Sequence, residues 1–285
     1  MAESSLTFGD LAAKFLAWSK DHQAERSYEW YANYLNMFVA YPGVADTPEA
    51  NLKPFQVQEW IDSHGDDWGA NYRGGAVVAV KRVYHWAEEM GYVDRNPVKK
   101  LKRPSPQRRK IYMKPADYDQ VLGAIKPNDP FRELVLFVWA TGCRPQEVRA
   151  IERRHVFLDR KRIVFPAEES KGKRTERIIR LNTVALEIIQ KRMEVIQDGV
   201  LFRNTHGEAW TKYAICARFD GISKKIGKRM FCYAARHGYG TRKLIDGVDP
   251  ITVAAIMGHT DGSMLARVYS HVEDDDDHMN KALED

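Results

Sequence analysis

The sequence predicts a two-domain, mainly α-helical protein with a small antiparallel β-sheet in the second domain. Three observations carry that expectation. Apolar residues recur at helical spacing along much of the chain. The clearest run is Ala76, Val80, Val83, Ala87 and Met90, whose alternating steps of four and three draw one buried stripe. Val156 to Pro166 instead alternates with a period of two around Arg160-Lys161, which predicts a hairpin. Residues 99–110 hold seven basic residues, two prolines and no acid, a composition suited to an extended, proline-stiffened linker.

The first domain, residues 1–98, takes four helices. Thr7 suits the N-cap of a helix over 7–20, where Leu11, Phe15 and Trp18 fall at helical spacing. A second helix spans Ser27 to Val39, and its Trp30, Tyr31 and Tyr34 suit a core better than a base-stacking surface. Pro54 opens a third helix through Ile61. The fourth runs from Asn71 to Met90 and leaves Lys81 and His85 on another face, free to meet a phosphate. Asn96-Pro97 then ends the helical pattern.

The second domain is assigned to residues 111–272. Pro115 and Asp117 start a helix, and Phe131 to Ala140 forms an apolar one that leads to Gly142. The predicted hairpin extends to a turn at or near Lys171, completing the small sheet. Helices follow over 183–197, 209–226 and 231–245, and residues 273–285 form an acidic tail.

Composition narrows the function classes. The 285 residues suffice for two cores, and 44% hydrophobic with 29% charged content describes a globular protein in water. The start of the chain lacks a secretory pattern and no apolar run approaches membrane-spanning length, so no membrane and a cytoplasmic location are expected. Cys143, Cys216 and Cys232 are odd in number and widely spaced, as free thiols in a reducing compartment would be. No histidine pairs with a cysteine at ligand spacing, so neither metal nor other cofactor is expected. The net charge of +5 hides a basic body. Residues 273–285 carry seven acids and one lysine, leaving a formal charge of +11 on residues 1–272, which points to an anionic partner.

Residues able to do chemistry gather toward the C-terminus. In Tyr233-Ala-Ala-Arg236-His237 the three polar side chains share one face of a helix. Asp249-Pro250 starts a short helix that ends at Gly258, and His259 follows the stop. Asp261-Gly-Ser263 restarts the chain, and Tyr269 falls near the end of one more helix. An arginine, a histidine and a phenol converging on one point suit attack on a phosphodiester. A basic helical segment with partly buried His and Tyr explains the same stretch, and taken alone the stretch does not choose between them. Upstream, Arg144 stands at the glycine-marked turn Thr141-Gly-Cys, with Pro145 and Glu147 in the first turn of the next helix. Ser170-Lys171-Gly-Lys173-Arg174 reads as a hairpin tip leading into the strand Arg177 to Leu181.

Four boxes, TGCRPQEV, SKGKRTERIIRL, YAARHGYGT and MGHTDGSMLARVYSHV, resemble in order and spacing those of the tyrosine recombinase (phage integrase) family, and they cover most of residues 141–272. The resemblance implies a two-domain DNA clamp, in which a helical core-binding domain and an integrase-like catalytic domain grip duplex DNA. It implies a site-specific recombinase working through a covalent 3′-phosphotyrosine. Arg144 and Arg236 would hold the phosphoryl oxygens and His259 would hydrogen-bond the scissile phosphate. Tyr269 would be the nucleophile, and Glu147 would orient a catalytic side chain. Lys171 would protonate the leaving oxygen, with Lys173 as the competing assignment because the loop is one residue longer than the family pattern. Lys81, Lys99, Lys100, Lys102, Arg103 and Lys173 would meet the DNA backbone. Partners implied are a double-stranded recombination site, a homo-tetramer assembled on it from free monomers, and accessory proteins. The segment after the nucleophile would dock on a neighbouring protomer.

One departure stands out. The family's second arginine box usually begins with histidine, and here Tyr233 takes that place, which leaves the general-base role open between it and His237. Two other readings follow: a type IB topoisomerase-like relaxing enzyme, and a sequence-specific DNA-binding protein whose catalysis has lapsed. A basic helical RNA-binding protein would leave the four ordered boxes unexplained.

Overall fold

The computed structural model describes residues 6–106, 112–170 and 175–259. It divides into two compact units, Met1–Arg109 and Lys110–Asp285, each with its own apolar core.

Among the described residues the first unit holds four α-helices: α1 (Phe8–His22), α2 (Glu25–Val39), α3 (Pro54–Asp62) and α4 (Ala70–Glu89). Thr7 caps α1 as expected. Its hydroxyl accepts from the Asp10 N–H at 3.1 Å, and Asp10 accepts in return from the Thr7 N–H. Phe8, Leu11, Phe15, Leu35, Phe38, Trp60, Val80 and Tyr84 make the core. Ala76, Val80, Val83 and Ala87 are buried as the stripe requires, but Met90 is 52% exposed because the helix has already ended there. Tyr34 is buried and Tyr31 half-buried, while Trp30 stays at the rim, edge-on to both rings at centroid distances of 4.9 and 5.0 Å.

Two expectations for this unit are corrected. The basic stretch 99–110 is not extended linker from its first residue. Val98 and Leu101 are buried in the helical core, so the chain leaves this unit only after Leu101. Lys81, expected free for a phosphate, donates its ammonium protons to the carbonyls of Lys99 and Leu101 at 2.9 and 3.2 Å. A turn that buries Leu101 leaves those carbonyls without helical partners, and the nearby lysine satisfies them. Lys99, Lys100, Lys102 and Arg103 remain exposed.

In the second unit α5 (Pro115–Gly123) and α6 (Pro130–Thr141) precede the one-turn α7 (Pro145–Val148). Strands β1 (Val156–Phe157), β2 (Arg162–Phe165) and β3 (Arg177–Arg180) pair antiparallel in chain order, with Ile163 opposite both Val156 and Ile179. The hairpin turn holds Lys161 at a left-handed φ of 45°. Helices α8 (Thr183–Val195), α9 (Lys212–Ile226), α10 (Cys232–Ile245) and α11 (Pro250–Met257) follow among the described residues. Helix α9 starts three residues later than expected, because Thr211 is its N-cap and accepts from the Ala214 N–H at 3.0 Å.

Helix α6 is the centre of this core. Phe131, Leu134, Val135, Phe137 and Val138 are all buried along it, and it packs against both α8 and α10. Asn182 fixes one of these contacts. It caps α8 by accepting from the Ala185 N–H, and its amide donates to the Ala140 carbonyl at the end of α6 at 3.1 Å. The C-terminal ends of α6 and α11 are where the functional side chains collect.

Candidate active site

Local chemistry brings each piece of the site into place. Helix α6 stops where the Thr141 hydroxyl turns back onto the Phe137 carbonyl at 2.7 Å and Gly142 takes a left-handed φ of 64°. A Cβ at Gly142 would stand 2.4 Å from the Tyr239 ring, so conformation and close approach both demand glycine. Arg144 follows as the N-cap of α7, with Pro145 at its first turn. Helix α11 is started by Asp249, whose carboxylate accepts from the Thr252 N–H at 2.8 Å, and stopped by Gly258 at φ 68°.

Glu147 is the hub. Its Oε1 accepts from Arg144 Nη1 at 2.7 Å and from Arg177 Nε at 3.1 Å. Its Oε2 accepts from the Arg144 main-chain N–H at 2.8 Å and from Arg177 Nη2 at 3.4 Å. Burial pushes the carboxyl pKa up. The charge of Arg177, with the hydrogen bonds from Arg144 and Arg177, more than offsets that and holds it below the usual carboxylate range.

Three arginines then grip three successive carbonyls at the end of α11. Arg177 Nη1 donates to Ile256 at 3.0 Å, Arg236 Nη2 to Met257 at 2.7 Å, and Arg144 Nη2 to Gly258 at 2.5 Å. The last carbonyls of a helix lack intrahelical partners and carry its negative dipole end, which suits cations. Arg236 also reaches the Gly142 carbonyl through Nη1 at 2.6 Å, tying α10 to the end of α6. Burial, then the charge of Arg144, lowers the Arg236 pKa, yet a guanidinium so placed stays protonated at neutral pH. Among the described residues Glu147 is the one carboxylate of this cluster, so the three guanidiniums leave a formal excess of two positive charges.

His259 closes the group. Its Nε2 lies 2.8 Å from Arg236 Nη2. A guanidinium can only donate, so Nε2 accepts and the ring proton of the neutral imidazole rests on Nδ1. Among the described residues that Nδ1 has no hydrogen-bond partner. Burial, followed by the charges of Arg236 and Arg144, lowers the His259 pKa to about 4, so the ring is neutral at physiological pH. It is a hydrogen-bond donor in reserve beside two cations.

The structure thus brings together Arg144, Glu147, Arg236 and His259. Tyr233 and His237 stand side by side on α10 with ring centroids 5.2 Å apart, and the Tyr233 ring centre lies 5.9 Å from Arg236 Cζ. Lys171, Lys173 and Tyr269 lie outside the described residues, as does the tail 273–285. Arg177 was not singled out from the sequence. A signal was present in the two-residue period of β3, which puts Arg177 on the same buried face as Ile179. Among the described residues no cluster of three or more His, Cys, Asp or Glu could hold a metal, and no helix is long and apolar enough to cross a membrane. Cys143 and Cys232 are buried free thiols, and burial pushes Cys143 up to about 12.

A positively charged cluster with a neutral imidazole beside it is thus the polar centre of the mainly helical second unit. Residues 112–276 match the model of the phage integrase family. The chain is similar to the tyrosine recombinase XerD of Listeria monocytogenes, at 23% identity over 212 residues covering 69% of this chain and 70% of that protein. XerD of Staphylococcus aureus is 26% identical over 213 residues, with the same coverage. Among solved structures, the Tn1549 transposon integrase in complex with transposon right end DNA shares the fold. Its TM-score is 0.78 at 16% identity, covering 92% of this chain and 94% of that one. A lambda integrase dimer bound to a COC′ core site gives 0.77 at 12% identity, covering 92% and 95%. The chain belongs to the phage integrase family of tyrosine recombinases.

Proposed function

We propose that this recombinase cleaves and rejoins DNA at a specific site through a covalent 3′-phosphotyrosine formed on Tyr269. The observation that carries the reading is the meeting of Arg144, Arg236 and His259 at the end of α11. Nucleophilic attack on a phosphodiester adds negative charge to its non-bridging oxygens, and preorganised guanidiniums in a buried site stabilise that charge without reorganising. The Nδ1–H of His259 supplies a further hydrogen bond to the same phosphate.

The phenol oxygen of Tyr269 bonds to phosphorus, and the bond to the 5′ oxygen breaks. Lys171, or Lys173 beside it, gives that oxygen a proton. A phenol has a pKa of about 10, so its proton must be taken up as attack proceeds. His237 is assigned that role in preference to Tyr233, whose neutral phenol is a poor acceptor. Because the phosphotyrosine conserves the energy of the broken bond, a 5′ hydroxyl of another strand regenerates the phosphodiester by the reverse path.

Duplex DNA is the partner. The formal charge of +11 on residues 1–272 and the exposed Lys99, Lys100, Lys102 and Arg103 support this. So do the DNA complexes of the similarly folded transposon and lambda integrases. Strand exchange takes place in a tetramer assembled on two sites, with the segment after Tyr269 docked on a neighbouring protomer.

The test uses nicked suicide substrates made from DNA that flanks the protein's own gene. The wild type is expected to form an SDS-resistant protein–DNA adduct, and Tyr269→Phe to form none. An adduct that survives the substitution moves the nucleophile elsewhere. Tyr233 favours one second reading, a DNA-binding protein with lapsed chemistry, whose mark is specific, salt-sensitive binding with no adduct from either protein.

A further inference from the structure

We propose that Arg177 is a positioning residue for strand cleavage: it shares Glu147 with Arg144 and clasps the end of α11 that carries His259. The proposal rests on the cleavage reading above and adds a residue to it.

The first ground is charge. Glu147 is a buried carboxylate that accepts hydrogen bonds from both guanidiniums and from the Arg144 main chain. Paired with Arg144 alone, it would cancel the charge that Arg144 must offer to a phosphate. With Arg177 on its other edge, the trio keeps one net positive charge. Arg177 lets Glu147 orient Arg144 without neutralising it.

The second ground is geometry. Arg177 is 7% exposed and opens β3, paired with Phe165 of β2. Its Nη1 donates both to the Ile178 carbonyl of its own strand at 2.5 Å and to Ile256 at 3.0 Å, which ties β3 to the last turn of α11. The next two carbonyls hold Arg236 and Arg144, and His259 follows directly. The fit is close: a Cβ at Gly258 would stand 2.7 Å from Arg177 Cζ. Gly258 is thus required by the passage of Arg177 as well as by its own left-handed φ of 68°. A lysine would keep the charge but not the planar fork that reaches Glu147 and Ile256 together.

The experiment compares Arg177→Met and Arg177→Lys with wild type in the full chain on the nicked suicide DNA. It measures the adduct-forming rate at saturating DNA, the DNA Kd, the pH profile of the rate, and hydrogen exchange in peptides spanning 250–259. Arg177→Met is expected to slow adduct formation about 100-fold, the loss that a small misplacement of the reacting groups brings, while Kd changes less than about threefold. Arg177→Lys is expected to recover about a tenth of the wild-type rate, since charge returns without the fork. Without Arg177, the largest influence lowering Glu147 is gone, so the acid limb of the Met variant moves to higher pH. Exchange should quicken in 250–259 and stay unchanged in α1 to α4.

Wild-type cleavage rates in both variants, or a rate loss matched by an equal loss of DNA binding, would overturn the proposal. If the wild type binds the DNA specifically yet forms no adduct, the cleavage reading fails by itself. The exchange result then still decides Arg177: unchanged exchange over 250–259 rejects the clasp, and faster exchange confined there upholds it.

Discussion

The two units bury different things. In the first, the buried side chains among the described residues are almost all apolar, with Ser19 and Asn96 as the polar exceptions. In the second, Asp117, Glu147, His155, Arg177 and Arg236 are buried and ionisable. The partners differ in reach as well. Thr7 and Asp10 satisfy each other three positions apart, whereas Arg144 meets Gly258 across 114 positions and Arg236 meets Gly142 across 94. An apolar core is held by area removed from water and tolerates many sequences of the right pattern. A buried charge is held by a few specific partners and is costly once one of them is gone.

That contrast is tested most severely at Arg236. Arg236→Met should lower the adduct-forming rate by about 1000-fold on saturating suicide DNA while gel-shift affinity stays nearly unchanged, because a clamp on developing charge acts in the transition state. An equal fall in affinity would make Arg236 a binding residue instead.

Stability should separate the units next. Glu147→Ala removes the buried carboxylate shared by buried Arg177 and half-buried Arg144 and is expected to cost about 3–5 kcal/mol. Phe38→Ala empties a fully buried ring position in the first unit and is expected to cost about as much through lost transfer energy and a cavity. Denaturant melts would distinguish the mechanisms, since only the Glu147 variant should also lose cleavage at temperatures where it is fully folded.

A smaller effect is expected with pH. His259 has a folded pKa lowered to about 4, below its ordinary value of 6.5, so the unfolded chain binds more protons between these values. The stability it contributes is complete above pH 6.5 and declines as pH falls toward 4. His155 is lowered too, by burial and then by Arg154, and adds to the same slope. His259→Gln should therefore flatten, without abolishing, the fall in Tm over that window. An unchanged slope would mean that His259 is not held neutral by burial and its arginine neighbours.

The smallest effects test the local features of the first unit. Thr7→Ala should cost about 1 kcal/mol, the usual worth of an N-cap, with no effect on cleavage.

Much of this fold was legible. Helix starts could be read at Thr7, Pro54, Pro115 and Asp249-Pro250, and stops at Gly142 and Gly258, because caps and left-handed residues act over a few positions. The hairpin across Arg160-Lys161 announced itself by period. Four members of the site, Arg144, Glu147, Arg236 and His259, were also readable, through boxes that resemble a known family. What could not be read was the occupation of their hydrogen bonds. Lys81 illustrates the point, since its helix face was right and its availability was not: a turn about 20 residues further along takes its protons. Arg177 illustrates the converse, a residue inside a recognised box whose partners come from α7 and α11.

The sequence by itself determined the helices, the short sheet and the presence of two cores. These follow from periodicity, capping and composition, which are properties of neighbours along the chain. Only the tertiary structure decided that Glu147 divides itself between two arginines. The same holds for the three arginines on consecutive carbonyls of α11, and for the neutral His259, whose Nδ1–H has no partner among the described residues. Each of those outcomes depends on how deeply a group is buried and on which distant donor reaches it first. Neither quantity exists until the chain has closed on itself.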